Sequence, residues 1–164
     1  MNYFELFDIP VQLKVTASTL SQKFFALSRQ FHPDHFAGGD EKAQEEALEN
    51  SALLNKAWKT FQHPDETIKY VLQLKGLLEE EEKYELPPDF LMEVMELNEE
   101  LMDSDDSEEI RSKIKTFQSE IYEPVKNIVE NYQEGTTSEK ELLQVKQYYY
   151  KKKYLDRINR STAK

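Results

Sequence analysis

Three titratable side chains lie within the four residues His32-Pro33-Asp34-His35, and a further carboxylate follows at Asp40. Imidazole and carboxylate groups at this spacing could bind a metal ion or transfer protons. Against that chemistry, the chain contains no Cys, Gly38-Gly39 follows the cluster, and no Ser/His/Asp order or phosphate-binding Gly-Lys-Ser/Thr motif occurs. We therefore predict no enzyme activity, no metal and no other cofactor, and we interpret Asp34 as a charged group for contacting a partner protein.

The segments on either side of this cluster predict two amphipathic helices. Each segment repeats its apolar residues at the 3.6-residue helical period. The two apolar stripes are Leu20, Phe24, Leu27 and Phe31 upstream, and Ala47, Leu54, Ala57, Trp58 and Phe61 downstream. Because only mutual burial hides both stripes, the helices should pack as an antiparallel hairpin. Pro33 ends the first helix and Asp40 caps the second, so the polar residues are held at the tip.

The same tripeptide occurs a second time, at His63-Pro64-Asp65, where a structural explanation suffices. Pro64 ends the helix that carries the second stripe, and Asp65 should cap a further helix over residues 66–75. The first copy differs because it lies between two paired amphipathic helices. A hairpin with this tripeptide at its tip resembles a J domain, the module that docks on ATP-driven chaperones of the DnaK family. The resemblance implies that His32-Pro33-Asp34 binds such a chaperone.

Three further side chains near the tip are candidates for the same contact. Lys23 and Arg29 lie on the face of their helix that points away from its apolar stripe, where they are either solvated surface or electrostatic contacts to the chaperone. His35 stands where many J domains carry Lys, so its cationic contribution is weaker at neutral pH. The resemblance assigns Lys23, Arg29 and His35 to the chaperone-binding surface, with modest electrostatic steering.

The net charge of −11 argues against two classes of partner. Residues 1–75 carry eight Lys and Arg against ten Asp and Glu, and residues 76–164 carry thirteen against twenty-two. The resulting field repels phosphate backbones and anionic lipids, so we predict binding to neither nucleic acid nor membrane surface. No apolar run approaches the roughly 18 residues of a membrane span. The N-terminus shows no targeting signal, which favours a cytoplasmic protein.

Composition and helix-breaking residues divide the chain into two predicted domains of an all-α protein. Residues 1–75 form the J domain, which opens with a short aromatic helix from Tyr3 to Phe7. Residues 76–88, which contain a glycine, an acidic run and a Pro-Pro pair, form a linker, and residues 89–164 form a three-helix bundle. The predicted helices of the bundle are Asp89 to Met102, Ser107 to Tyr132 with a kink at Pro124, and Ser138 to Asn159, capped by Asp89, by the Asp106/Glu109 pair and by the Ser138/Glu141 pair.

The first helix of the predicted bundle has more apolar residues than one buried face needs. At about 100° per residue, one stripe, sufficient for packing in the bundle, contains Phe90, Val94, Leu97 and Leu101. A second stripe about 120° away contains Leu91, Met95 and Met102, and Met92 lies further round beside Glu96 and Glu99. Such an apolar patch with an acidic rim is typical of a protein-binding surface. The alternative is that the third helix of the bundle covers it.

A series of short segments, taken in order, resembles the HscB family of iron–sulfur cluster co-chaperones over essentially the whole chain. In that family the J domain stimulates the ATPase of an HscA-type chaperone, and the C-terminal bundle binds the cluster scaffold protein IscU. The segments are Tyr3 to Phe7, Phe31 to Phe36, Asn55 to Trp58, His63-Pro64, Phe90 to Glu93 and Tyr154 to Asp156. The resemblance implies scaffold-binding positions at Leu91, Met92, Met95, Glu96, Glu99 and Tyr154. The zinc-binding Cys pairs of some eukaryotic relatives are absent, which favours the bacterial type.

Two alternatives to this function remain at the level of sequence. The chain could be a J-domain co-chaperone for a different client, which would not need the Leu91/Met95 face, or a non-catalytic helical adaptor, which would not need Asp34. Near the C-terminus, Lys152 interrupts the apolar pattern of the final helix and leaves the register of the Tyr148 to Tyr154 region open.

Overall fold

A computed structural model describes the backbone of residues 1–162 and the side chains of residues 1–159. Over this range the protein is all-α, as predicted, and it divides into two compact units, Met1–Val71 and a second that begins at Leu72. The α-helices are α1 (Tyr3–Leu6), α2 (Ala17–Phe31), α3 (Glu41–Phe61), α4 (Pro64–Leu74), α5 (Pro88–Met102), α6 (Ser107–Tyr122), α7 (Lys126–Glu130) and α8 (Glu139–Thr162), with 3₁₀ turns at Pro33–Phe36 and Glu123–Val125.

The first unit is built on the predicted antiparallel hairpin of α2 and α3. The two apolar stripes face each other: the rings of Phe24 and Trp58 stack with centroids 4.6 Å apart, and Leu20 and Leu54 are buried. At the tip end, the Ser51 hydroxyl donates a hydrogen bond to the Phe31 carbonyl at 2.9 Å. This bond ties the last turn of α2 to the middle of α3, so the chain that leaves α2 starts from a fixed point.

The short helix α1 covers the end of the hairpin, as predicted. Phe4 and Phe7 are each 1% exposed, and both rings contact Phe61. Tyr3 stacks on Tyr70 with ring centroids 4.1 Å apart, and its backbone N–H donates to the Tyr70 hydroxyl at 2.9 Å. Burial raises the pKa of that hydroxyl, so it remains protonated. Five rings, from α1 and its C-cap residue Phe7, from α3 and from α4, thus hold this four-residue helix in place.

The second unit is the predicted three-helix bundle. Its core lies between α5, α6 and α8 and consists of Phe90, Val94, Leu97, Leu101, Phe117 and Leu155. The middle segment was predicted as one helix kinked at Pro124. It is instead interrupted there: α6 ends at Tyr122, a 3₁₀ turn contains the proline, and α7 resumes at Lys126. The missing proline N–H and the ring's clash with the preceding turn favour this break over a simple bend.

Two predicted helix caps are wrong. Asp89 does not cap α5, because the helix begins at Pro88, preceded by Pro87 without a side-chain cap. Asp65 does not cap the helix after the second His-Pro-Asp copy, because α4 begins at Pro64 and places Asp65 in its first turn. In both cases proline takes the first helical position, where its missing N–H costs nothing. The two carboxylates then favour the positive end of the helix dipole instead.

Three other predicted caps are present. The Asp40 carboxylate accepts from the Ala43 N–H at 2.7 Å, and Ser138 and Glu141 form a reciprocal capping box. Asp106 accepts from the N–H of Glu108 and of Glu109. The Glu109 carboxylate, however, accepts from the Ser104 hydroxyl rather than completing a box with Asp106. A further capping box, between Asn2 and Glu5 at the start of α1, was not predicted.

The stretch predicted as a linker, residues 76–88, contacts α8 within the second unit. Leu78 is buried, and the Tyr84 ring stacks on Tyr150 with centroids 4.5 Å apart. The Glu82 carboxylate lies 2.7 Å from the Lys146 ammonium, with both side chains largely covered. The Lys146 hydrogen bond lowers the pKa of Glu82. The acidic run Glu79 to Glu82 is therefore only partly solvated surface, because Glu82 forms an ion pair with Lys146 of α8.

Replacing Lys146 by Gln should lower the stability of the second unit by about 1 kcal/mol at pH 7. Because the folded-state pKa of Glu82 lies below its ordinary value of 4.5, the pair adds stability above pH 4.5 and loses it as the pH falls through the folded pKa. Urea unfolding followed by circular dichroism at pH 7 and pH 3 should show less acid destabilisation in Lys146→Gln than in the wild type. Lys140→Gln, an exposed change on the same helix, is the control, and an equal acid response in all three proteins would contradict the prediction.

Candidate functional site

The tip of the hairpin (residues 32–35) is a short 3₁₀ turn with a defined start. α2 ends at Phe31, and His32 takes an extended conformation with ψ of 130°. The His32 Nδ1 atom accepts a hydrogen bond from the Asp34 N–H at 3.2 Å, which caps the turn Pro33–Phe36. Pro33 thus ends one helix and begins the next turn, as its fixed φ and its effect on the preceding residue require.

Asp34 projects its carboxylate into solvent. Its side chain is 91% exposed, and its nearest cation candidate is His32 Nδ1, 3.5 Å from Oδ2. That nitrogen also accepts the Asp34 backbone N–H, and no Lys or Arg pairs with the carboxylate in the described part of the chain. The tip therefore presents an uncompensated negative charge at a fixed position, which suits a directed contact with a basic group of a partner.

Lys23 has a structural contact that its position on α2 did not predict. Its ammonium donates to the Phe7 carbonyl at 3.2 Å and to the Asp8 carbonyl at 3.4 Å. These carbonyls lie at the C-terminal end of α1, where a cation offsets the helix dipole and satisfies acceptors without a helical partner. Arg29 and His35 are exposed, and within the described part of the chain neither forms an ion pair. These two residues are therefore available to a partner in the way that the resemblance implies.

Replacing Lys23 by Gln should lower the stability of the first unit by roughly 0.5–1 kcal/mol, because the last carbonyls of α1 lose their cation. Trp58, the single tryptophan, lies in that unit, so urea unfolding followed by its fluorescence reports the change. Lys56→Gln removes the same charge from an exposed position in the middle of α3 and should leave the transition unchanged. Equal destabilisation by both variants would show that the carbonyl contact contributes nothing specific.

The second His-Pro-Asp copy forms the junction between α3 and α4. The His63 carbonyl accepts from the Thr67 N–H at 3.0 Å and lies 3.2 Å from the Thr67 hydroxyl. That hydroxyl also donates to the Thr60 carbonyl at 3.0 Å, and Thr67 is 1% exposed. The copy is therefore a corner held by a buried threonine, with Pro64 as the first residue of α4 and without the predicted cap at Asp65. The importance of Thr67 was not predicted, since a lone Thr in a helix carries no sequence signal.

On α5, four apolar residues lie outside the buried stripe, and we call them the methionine face. They are the half-buried Leu91 and the exposed Met92, Met95 and Met102. The methionine side chains are 62%, 63% and 74% exposed, respectively. The prediction that this face is exposed is confirmed, and the alternative that the third helix covers it is wrong. Three large apolar side chains thus lie in solvent on one helix, a pattern that is typical of protein-binding surfaces.

Two exposed carboxylates, Glu96 and Glu99, border the methionine face. Within the described residues neither forms an ion pair. Glu100, further round the helix, differs because Lys113 lies 3.5 Å from it and 3.2 Å from Glu109. The carboxylates of Glu96 and Glu99 beside the methionines are thus available to a partner. On the side of α5 that faces α6, Lys113 pairs with Glu100.

The remaining predicted scaffold-binding residue, Tyr154, lies on α8 rather than on α5. Its ring packs against the buried Phe90, with ring centroids 6.2 Å apart. Phe90 is followed in the sequence by Leu91, a residue of the methionine face. The register of this region is now clear: Lys152 forms a bidentate ion pair with Asp156 at 2.8 and 3.0 Å. Lys152 therefore interrupts the apolar pattern because it pairs with Asp156 one turn later, and the register of α8 does not change.

Neither a metal centre nor a membrane segment is found in the described part of the chain. There, no three His, Asp or Glu side chains are grouped so that they could hold a metal ion. No helix over residues 1–162 is both long enough and apolar enough to cross a bilayer. The tip and the methionine face contain most of the residues that were predicted to bind partners.

Comparison with known proteins relates the chain to one family. Residues 86–163 match the profile of the HSCB C-terminal oligomerisation domain. The co-chaperone protein HscB homolog of Vibrio cholerae is 43% identical over 102 residues, which is 62% of this chain and 60% of that relative. The homolog of Vibrio parahaemolyticus is 38% identical over 122 residues, which is 74% of this chain and 71% of the relative.

Solved structures agree over nearly the full length. Chaperone HscB from Vibrio cholerae is 29% identical with a TM-score of 0.74, covering 99% of this chain and 96% of that one. The crystal structure of human co-chaperone protein HscB is 28% identical with a TM-score of 0.80, covering 99% and 81%. The hairpin with its tip and the C-terminal helical bundle define a J-domain protein with a second helical domain. The chain belongs to the HscB family.

Proposed function

We propose that the protein is a co-chaperone for iron–sulfur cluster assembly in the cytoplasm, with two binding sites and no enzyme activity of its own. The first unit docks on an HscA-type chaperone of the DnaK family and stimulates its ATPase, and the second unit binds the scaffold protein IscU. The observation that carries the proposal is the exposure of Met92 and Met95 beside two uncompensated carboxylates. Membership of the HscB family supports both partners.

The tip contacts the chaperone. Asp34 supplies an exposed carboxylate for a charge-assisted hydrogen bond with a basic residue of the chaperone. His32 and Pro33 hold this carboxylate at a fixed position, because the cap and the 3₁₀ turn leave the backbone little freedom. Arg29 and His35 add an electrostatic contribution that affects the rate of association more than the final affinity. Lys23 belongs to this surface by resemblance, although its ammonium contacts α1.

The methionine face binds the scaffold. Burying a methionine side chain completely contributes roughly 1.5–3 kcal/mol, and flexible methionines adapt to an uneven partner surface. Leu91, Met92 and Met95 form the apolar centre of this contact, with Glu96 and Glu99 at its rim meeting cations of the scaffold. Tyr154 adds an aromatic group from α8.

One chain that carries both sites raises the effective concentration of the client at the chaperone. Binding of the second partner then becomes an intramolecular event, and the overall avidity exceeds either affinity alone. The function requires no catalysis by the protein itself. Its physical contribution is to bring the scaffold to a chaperone that is at the same moment stimulated to hydrolyse ATP.

Steady-state ATP hydrolysis by an HscA-type chaperone, measured with and without IscU and with and without this protein, tests the proposal. We expect stimulation by the protein alone and a further increase when IscU is present. Calorimetry of the protein with IscU should show binding in the same buffer. Binding without stimulation would support a helical adaptor, and stimulation without binding to IscU would support a J-domain co-chaperone for another client.

A further inference from the structure

A cleft in the second unit contains cations that belong to neither of the two surfaces described above. It has a volume of about 390 Å³ and lies between the residue 82–86 segment and α8. Its walls include three tyrosines: Tyr84 and Tyr150 stack with an interplanar angle of 5°, and Tyr154 lies one turn further along α8. Aromatic walls of this kind offer flat apolar area at small cost in side-chain entropy.

Three cations line the same cleft, namely Lys83, Lys153 and Arg157. The Lys153 ammonium lies 5.9 Å from the centroid of the Tyr150 ring, and the Arg157 guanidinium lies 5.2 Å from that of Tyr154. Among the described residues, none of the three has a carboxylate partner. Contacts with ring faces leave most of their N–H donors free, so the cations remain able to bind an anion.

The charge of the cleft is unusual for this chain. Acidic residues outnumber basic ones by 32 to 21, so carboxylates are abundant as partners for cations. Glu82 is the sole carboxylate among the lining residues, and Lys146 neutralises it at 2.7 Å. The cleft therefore has a net positive charge next to low-dielectric aromatic walls, an arrangement that concentrates the field and attracts anions.

We propose that this cleft binds an acidic segment of the scaffold protein, with carboxylates between Lys153 and Arg157 and an apolar side chain against the tyrosines. The inference rests on the proposed function and adds a second contact to it. Its position supports this occupant, because Tyr154 forms a wall of the cleft and also packs against Phe90, next to the methionine face. A partner seated on Leu91 and Tyr154 thus continues directly into the cleft.

The two contacts have opposite charge. The rim of the methionine face presents Glu96 and Glu99, whereas the cleft presents cations. A complementary partner must carry basic groups opposite α5 and acidic groups opposite α8. Such polarity fixes the orientation of the scaffold on the helices and rejects a reversed orientation, in which like charges would meet.

Calorimetry of IscU with the double variant Lys153→Gln/Arg157→Gln tests the inference. We expect the affinity to fall at least fivefold, and its dependence on salt concentration to become weaker than in the wild type. The matched control is Lys115→Gln/Lys126→Gln, which removes two exposed cations from α6 and α7 and should change the affinity less than twofold. Arg157→Lys, which keeps the charge, should recover part of the loss relative to Arg157→Gln, and circular dichroism verifies folding of each variant.

The possible failures of the inference and of the proposed function are distinguishable. If the wild type binds IscU and the cleft variant binds equally well, the inference is wrong and the proposed function stands. An equal loss in the Lys115/Lys126 control would mean that net charge alone acts, which also overturns the inference. If the wild type does not bind IscU at all, the proposed function fails and the inference fails with it.

Discussion

Replacing Asp34 by Asn should reduce stimulation of the chaperone's ATPase by more than tenfold, close to the unstimulated rate. Asn has the same shape as Asp and keeps the N–H that donates to His32 Nδ1, so the turn itself should persist. What is lost is the negative charge of a side chain that is 91% exposed and has no Lys or Arg partner in the described part of the chain. A hydrogen bond to a charged group contributes about 1.5–3 kcal/mol, enough to account for the loss.

Asp65→Asn is the matched control for this experiment, because it makes the same change in the same tripeptide. Asp65 lies in the first turn of α4, at a junction held by the buried Thr67. This variant should stimulate the ATPase as the wild type does, with at most a slight loss of helix stability from the dipole. Stimulation that survives in Asp34→Asn but is lost in Asp65→Asn would mean that the functional tripeptide is the second one.

The hairpin and its tip could be predicted from the sequence because their determinants are local. Two apolar stripes, one proline and one capping aspartate define where α2 ends and α3 begins, and neighbouring residues decide each of these features. The predicted caps at Asp65 and Asp89 are wrong for an equally local reason. In each case a proline immediately precedes the aspartate, and proline is favoured as the first residue of a helix, so the helix begins one residue before the aspartate.

Long-range contacts could not be predicted in the same way. The position of Lys23 on α2 says only that it points away from the apolar stripe, whereas its partner carbonyls, those of Phe7 and Asp8, immediately follow α1, sixteen and fifteen residues earlier. The cationic cleft brings together Lys83 and Arg157, which are far apart in the sequence. Periodicity predicted the angle between the two apolar stripes of α5, but it could not predict whether a neighbouring helix packs on the second stripe. The structure was needed to show that this stripe is exposed.

The double variant Met92→Ala/Met95→Ala should weaken IscU binding at least tenfold while leaving the helical signal and thermal stability unchanged. Both side chains are more than three-fifths exposed, so their truncation removes almost no packing within the bundle. In the complex, the same two side chains form the apolar centre of the contact, the region where the minority of interface residues that cost more than about 1 kcal/mol on truncation are concentrated. Each 1.4 kcal/mol corresponds to a factor of ten in affinity.

Leu143→Ala is the control for this variant, since Leu143 is another exposed apolar side chain, on α8. It should bind IscU as the wild type does. Comparing the two variants separates a specific docking face from general surface hydrophobicity. If general hydrophobicity alone mattered, truncating Met92, Met95 or Leu143 would each lower the affinity in proportion to the apolar area removed. Unchanged affinity in Met92→Ala/Met95→Ala would remove the methionine face from the scaffold contact and leave its exposure without a binding role. A loss confined to that variant, together with normal ATPase stimulation in the absence of IscU, would show that client binding and chaperone activation reside in separate units of one chain.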